Sequence, residues 1–296
     1  MYVLSYDEPD ALADYARAHG VSFPMLSDPD SEIIERLGIL NTLIDPDDHP
    51  WYGIPFPGSY VLDSAGTITH KFFEDRLHFR PSSDELLRAA TGQEVKLPPA
   101  PQSSGEASEV SFDVVLDGLD LQSGIVRDLV IRFALPEGQH LYGEPVPQGL
   151  VATTVEIDEQ PGMLVRHAVY PPSTPLTLAT GEVLNVFEGS GPEGEVLVRV
   201  PVAQLSRRLT TLDCGDVVQR ITGTVRWQAC DDQACGLPRT ETFVLEVPAA
   251  PAPRPEDEFQ ATDGMDIRTH FVGMVARRTD KPLAEIMSNT EGTANE

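Results

Sequence analysis

The chain has 296 residues, enough for two domains with a sizeable core in each, and its 41% hydrophobic, 23% charged and 7% aromatic composition is that of an ordinary globular protein. Its charge is less ordinary: 21 basic against 47 acidic residues give −26, a surface that repels nucleic-acid phosphates and anionic lipid and so sets both partners aside. No apolar run reaches the roughly 18 residues that a membrane-spanning helix needs, so no membrane insertion is expected.

Met1 leads directly into Tyr2-Val3-Leu4-Ser5-Tyr6, a short buried-type strand over 3–6 with no secretory signal before it. Asp7 or Asp10 is positioned to cap a helix running to His19, where Leu12, Tyr15 and Ala16 share a face and Gly20 stops it. Ser31 opens a short helix carrying Ile33, Ile34 and Leu37, ended by Gly38. Residues 59–62 and 67–73 read as an antiparallel pair across Asp63-Ser64-Ala65-Gly66. Ser82 or Ser83 caps a last helix through Ala90, with Gly92 beyond it. The predicted order is β-α-α-β-β-α, over a first domain of 1–93.

A Pro/Ser-rich linker over 94–109 follows, including Leu97-Pro98-Pro99-Ala100-Pro101. Residues 110–248 are strand-rich, with predicted strands over 111–116, 128–133, 151–157, 164–170, 183–187, 195–200, 217–228 and 240–247. Short strands at this spacing, with turn signals between them, indicate a β-sandwich of immunoglobulin-like type. The alternation Thr224, Arg226, Gln228 against Val225, Trp227 gives one strand a buried face and a wet face. The tail over 249–296 is acidic, and Ile267, Phe271 and Met274 or Val275 lie at near-helical spacing within 265–278. The predicted class is therefore α/β plus all-β.

The chemistry lies in Trp227-Gln228-Ala229-Cys230-Asp231-Asp232-Gln233-Ala234-Cys235-Gly236-Leu237-Pro238. A strand ends at Cys230, small and polar residues turn, and a second strand starts after Pro238. Cysteines across such a hairpin can reach the short Cα separation that a disulfide requires. So small a loop adds little entropic stabilisation, which favours exchange over stapling. A structural hairpin disulfide and a pair of free thiols stay open at this stage. Zinc is disfavoured, because no further Cys or His at ligand spacing completes the set. Asp231 and Asp232 disfavour a neighbouring thiolate, which fits a thiol that acts only when a partner arrives. Cys214 stands alone before Gly215-Asp216 and reads as a buried structural cysteine, with a regulatory or resolving thiol as the alternative.

The run from Trp227 to Cys235, followed by Pro238, resembles the Y/W-Q-A-C-D-D-x-x-C-x-x-P signature of the N-terminal domain of the thiol–disulfide interchange protein DsbD, and His140-Leu141-Tyr142 also looks like family sequence. The resemblance spans 110–248. It implies an immunoglobulin-like domain outside the cytoplasm, in which Cys230 and Cys235 are the catalytic pair passing electrons between thioredoxin-like partners. It further implies a cap loop that shields the pair, near 176–183, with Glu182 as a neighbouring carboxylate.

Residues 1–92 resemble the C-terminal part of the alkyl hydroperoxide reductase/thiol-specific antioxidant group, which is peroxiredoxin-like with a thioredoxin fold. The matching stretches are Val3-Leu4-Ser5-Tyr6-Asp7, Phe23-Pro24-Met25-Leu26-Ser27-Asp28-Pro29-Asp30 and Gly53-Ile54-Pro55-Phe56-Pro57-Gly58-Ser59-Tyr60-Val61-Leu62-Asp63. Members carry a reactive cysteine upstream of these segments. Here no cysteine precedes Cys214, so an active peroxidase is excluded for this chain as written. A missing central strand would leave the strand at 3–6 short of a neighbour and the one at 59–62 with an unpaired edge. The expectation is an N-terminally shortened redoxin that has lost its export signal with its N-terminus.

By the same resemblance, Arg80 corresponds to the arginine near the peroxiredoxin cysteine, against a plain surface arginine. Pro57, with Pro55 competing, corresponds to the partner-contacting cis-proline of thioredoxin folds. Asp45-Pro46-Asp47-Asp48-His49 holds metal-type side chains but reads as a solvated turn, and no metal site is expected. No Gly-rich phosphate motif occurs, and no organic cofactor is implied. The function expected is thiol–disulfide exchange with a thioredoxin-like partner; the alternative is a partner-binding sandwich with a stiffening disulfide.

Overall fold

The computed structural model describes residues 1–43, 54–74, 79–93, 97, 110–160, 162–178, 181–189, 194–205, 218–231 and 233–250. Cys214, Asp232, the turn at Asp45–His49, most of the linker and the tail helix expected over 265–278 lie outside them. The chain divides into two compact units, and the described parts of the first fall within residues 1–59, while the second spans 60–253.

In the first unit, strand β1 (Val3–Ser5), helix α1 (Pro9–Ala18) and strand β2 (Met25–Ser27) form a β-α-β unit with the strands parallel, the arrangement for which a helical crossover is needed. Strand β2 is absent from the sequence reading because it is only a triplet between Pro24 and Asp28. Neither Asp7 nor Asp10 caps α1. Its N-cap is Glu8 without a side-chain bond, and Pro9 starts the helix, where a missing N–H costs nothing. Asp7 accepts instead from the Ser5 hydroxyl. Helix α2 (Glu32–Arg36) follows Ser31, but Ser31 sits at φ 53° and gives no cap bond. Asp28 does that work: one carboxylate oxygen accepts from the backbone N–H groups of Ile33 and Ile34 at 3.0 and 2.9 Å.

The paired strands β3 (Gly58–Leu62) and β4 (Ile68–Phe73) come next, the second unit beginning within β3 at Tyr60. Among the described residues β1 pairs with β2 and β3 with β4, each as a two-stranded sheet. Strand β5 (Arg80–Pro81) and helix α3 (Ser83–Thr91) come next; Ser82 caps α3 by accepting from Glu85 N–H at 3.1 Å, and Gly92 ends it at φ 68°.

The remaining strands are β6 (Ser111–Leu116), β7 (Leu121–Gln122), β8 (Ile125–Ala134), β9 (His140–Gly143), β10 (Thr154–Ile157), β11 (Met163–Val165), β12 (Thr174–Thr177), β13 (Val183–Phe187), β14 (Glu195–Gln204), β15 (Val218–Trp227), β16 (Ala229–Cys230) and β17 (Arg239–Ala250). They form sheets in the orders β11-β14-β8-β5, with β6 also on β8, then β10-β15-β17-β7 and β12-β13-β9-β16. Helices are few and sheet dominates, as the α/β plus all-β class requires.

Alternation builds the sandwich core. Leu129, Ile131 and Phe133 of β8 and Val196, Val198, Val200 and Val202 of β14 meet Ile221, Val225 and Trp227 of β15, while Leu141 and Phe187 enter from the third sheet. Residues 79–81 are part of this structure. Arg80 and Pro81 pair in parallel with Ile125 and Val126, beside the stretch of β8 that β6 covers. Phe79, 1% exposed, packs with Val126 and Ala203. Helix α3 then carries Arg88 to Asp128 at 3.2 Å and Asp84 to Arg127 at 3.2 Å.

Candidate thiol–disulfide site

Strand β15 runs with strict alternation to Trp227, and there the chain changes sheets. Residues Ala229 and Cys230 leave the β17 pairing and form β16, which pairs antiparallel with β9 in the register Ala229↔Leu141 and Cys230↔His140. The cysteines are therefore carried by a small loop inside the longer β15–β17 connection. The buried side chain of Gln228 fixes the step: its carbonyl accepts from Val151 N–H at 2.9 Å, and its amide donates to the Gly236 carbonyl at 3.0 Å.

The loop closes on itself. Asp231 N–H donates to the Ala234 carbonyl at 3.0 Å and Gly236 N–H to the Ala229 carbonyl at 2.9 Å. The Asp231 carboxylate accepts from Gln233 and Ala234 N–H at 2.7 Å each, the turn-forming habit of aspartate. Cys230 and Cys235 form an antiparallel bridge, and a disulfide joins them with Cα atoms 4.1 Å apart. A Cβ at Gly236 would come within 3.2 Å of the Ala229 carbonyl, so a side chain there crowds the loop.

The two sulfurs live in different surroundings. Cys230 is 2% exposed, in an apolar cluster with Tyr142, Leu184 and Val186, onto which Val146, Leu150, Leu176 and Leu178 pack. Cys235 is exposed. The Tyr142 hydroxyl lies 3.4 Å from Cys235 Sγ. Burial pushes the Tyr142 phenol up from its ordinary value, so the proton stays on oxygen, available to a sulfur acceptor. The Gln233 and Ala234 N–H groups hold the Asp231 carboxyl below the usual carboxylate range, with the charge of His140 adding to them. Asp231 thus keeps a negative charge beside Cys230, which disfavours a thiolate there.

Strands β12 and β13 form an antiparallel hairpin with Leu176 opposite Leu184, and its turn is closed by Leu178 N–H donating to the Glu182 carbonyl at 2.8 Å. Its described residues bring Leu176 and Leu178 onto the Cys230 cluster, while Glu182 is exposed at the turn. The structure thus gathers Cys230, Cys235 and Asp231 in one place, with this hairpin packed on the Cys230 side.

Pro57 and Arg80 belong elsewhere. Pro57 lies in the first unit, and the bonds before Pro55 and Pro57 are trans; the cis X–Pro bond among the described residues is Glu144–Pro145. The cis-proline expectation is not met: the bond before Pro57 is trans, and the residue stands directly before β3. Arg80 is exposed on the β8 edge, where its backbone N–H donates to Gly124 and its guanidinium to the Phe79 carbonyl at 2.6 Å. The sequence reading assigned no role to Gln228 or Tyr142, although both stand in the motifs it quotes.

Residues 1–71 match the AhpC/TSA family. Among solved structures, the chain is similar to the N-terminal periplasmic domain of ScsB from Proteus mirabilis, at 14% identity and a TM-score of 0.28, over 48% of this chain and 52% of that one. It is also similar to AvmM, which catalyses macrocyclization in alchivemycin A biosynthesis, at 10% identity and a TM-score of 0.17, over 50% of this chain and 92% of that one. The chain therefore spans about half the length of the ScsB structure. No curated protein matches it. No helix among the described residues is long and apolar enough to cross a membrane. The chain thus joins a segment that matches the AhpC/TSA family to a β-sandwich that carries the Cys230–Cys235 disulfide.

Proposed function

We propose that this chain is an extracytoplasmic, periplasmic-type thiol–disulfide oxidoreductase, in which Cys230 and Cys235 exchange electrons with a thioredoxin-like partner. Its parts are a redoxin-like segment over 1–71, the β5–α3 piece over 79–93 that is built onto the sandwich in place of closing a first domain at 93, a linker over 94–109, the sandwich over 110–248 and an acidic tail. The observation that carries the reading is the unlike exposure of the two sulfurs: Cys235 is open to solvent while Cys230 is 2% exposed. A partner thiolate reaches Cys235, and Cys230 is the sulfur left behind. In the reducing direction the Cys235 thiolate attacks the partner disulfide, and Cys230 then attacks Cys235 in the mixed disulfide and releases the partner's thiol. The β12–β13 hairpin is the cap, with Leu176 and Leu178 keeping other oxidants and thiols from Cys230 until a partner displaces them.

The second reading, a partner-binding sandwich with a structural disulfide, draws support from the fastening of the loop by Gln228. Reduction potential separates the two. Equilibrating the full chain in defined thiol/disulfide buffers, trapping by alkylation and reading mass gives the midpoint. Exchange predicts a value of roughly −120 to −270 mV, and a structural bridge one below about −300 mV. The second result, or a bridge that never forms in solution, overturns the exchange reading.

A further inference from the structure

The exchange reading leaves a chemical difficulty that the fold itself answers. When a thiolate attacks Cys235, the electron pair of the broken bond stays on Cys230 Sγ. That sulfur is 2% exposed among Tyr142, Leu184 and Val186, with Leu176 and Leu178 over it. An anion there has no water to solvate it, and Asp231, the next residue, keeps its negative charge. A high-energy thiolate is a poor leaving group. The step needs a proton delivered to Cys230.

His140 is the residue in register with Cys230 on the paired strand β9. Directly opposite residues of an antiparallel pair project from the same face with Cβ atoms about 4.5–5.5 Å apart. His140 is 6% exposed, and its ring lies 5.4 Å from that of Tyr142, edge to face. Among the described residues, the titratable groups beside it on β9, β16 and β13 are these. Cys230 and Asp231 belong to β16 and the turn after it, and Tyr142 to its own strand. Cys235 lies beyond the Tyr142 hydroxyl. Glu188 is one register step past the Leu141↔Phe187 pair of β13, and its carboxylate accepts from Thr174. The Tyr142 hydroxyl lies against the sulfur of Cys235 and burial raises its phenol above the ordinary value, while Asp231 is an ionised base. Of these groups, His140 alone can supply Cys230 with a proton near neutral pH.

We propose that His140 is the proton donor and acceptor for Cys230, a role that rests on the exchange reading. As the partner thiolate bonds to Cys235 Sγ, the Cys230–Cys235 bond breaks, and the electron pair left on Cys230 Sγ takes the proton of the imidazolium. In the opposite direction neutral His140 removes the Cys230 proton as that sulfur attacks Cys235 in the mixed disulfide, and the partner leaves as a thiolate. The bond made, the bond broken and the proton balance in both directions. The only co-reactant is the dithiol or disulfide of the partner.

The test uses the full chain, wild type and His140→Gln, reduced by dithiothreitol between pH 5 and 9 on the scale over which imidazole titrates. Acid quenching and alkylation count free thiols, and rates are divided by the dithiothreitol thiolate concentration. In wild type the normalised rate falls as pH rises through the imidazole range. In His140→Gln that limb disappears, and the acid-side rate drops about 100-fold, the low end for general acid–base catalysis. Identical pH profiles for the two proteins overturn the proposal. A wild-type disulfide that resists dithiothreitol at every pH removes the exchange reading itself, and the role of His140 with it. Buried Trp227 reports by its fluorescence whether the variant is folded. If it is not, the His140 ring resonance of the wild-type chain is titrated in the oxidised and reduced states. A midpoint that moves on reduction is expected; one that stays in place overturns the role.

Discussion

Gln228 holds Gly236 by a side-chain amide donating to its carbonyl at 3.0 Å, and the same side chain accepts from Val151 at 2.9 Å. One buried residue therefore ties the end of the disulfide loop to the segment before β10. The expected result of Gln228→Ala is a loss of about 1–3 kcal/mol, the usual cost of stranding a buried polar partner, since solvent can replace the bond at exposed Gly236 but less readily the one at Val151. Guanidinium unfolding with the disulfide intact measures it, and an unchanged midpoint would show that the clamp contributes nothing.

Leu176 and Leu178 cover the cluster around Cys230. Replacing the half-buried Leu178 with Ala removes on the order of 1.4 kcal/mol of apolar burial from the closed hairpin. That makes its opening about tenfold more frequent. Reduction of the disulfide by glutathione should speed up by a similar factor while overall stability changes less. A rate equal to wild type would mean that the hairpin does not limit access.

Phe79 precedes β5 and is 1% exposed against Val126 and Ala203 of the sandwich. Phe79→Ala should cost about 3–5 kcal/mol, as for other buried phenylalanines. The loss should appear in the unfolding transition of the sandwich, read by Trp227 fluorescence. A fragment starting at residue 110 should be less stable than one starting at residue 60. Equal stability of the two fragments would contradict the packing.

Asp117 accepts from Asp128 N–H at 2.9 Å, with Arg88 3.8 Å away. Burial, followed by the charge of Asp128, pushes its carboxyl up to about 7 from an ordinary 3.8. Glu85 is likewise raised to about 7, first by burial and then by Asp128. A raised pKa means that the folded state binds more protons than the unfolded chain between these values. Stability is therefore full below about pH 4 as far as these groups are concerned, and it declines as pH rises to about 7. Asp117→Asn should make that decline shallower, with Glu85 supplying the remaining slope. Denaturation midpoints from pH 4 to 8 test this, and a slope as steep as wild type would contradict it.

By itself the sequence determined the local chemistry. Alternation marked the two faces of β15, set by neighbours two residues apart, and strand spacing with turn signals marked β8, β14 and β17. Ser82 and Gly92 marked the ends of α3, and the spacing of Cys230 and Cys235 marked the disulfide loop. These signals are local, so a linear reading captures them. The short strands β2, β5, β7, β9, β12 and β16 were not legible, because each exists only through the partner it pairs with. Capping by Asp28 instead of Ser31, and the packing of Phe79, likewise depend on residues brought together by folding. The asymmetry between the sulfurs is also tertiary. Two cysteines in one loop look equivalent in sequence, and only the crossing from β15 to β16 buries Cys230 under the β12–β13 hairpin, opposite His140, while leaving Cys235 in solvent.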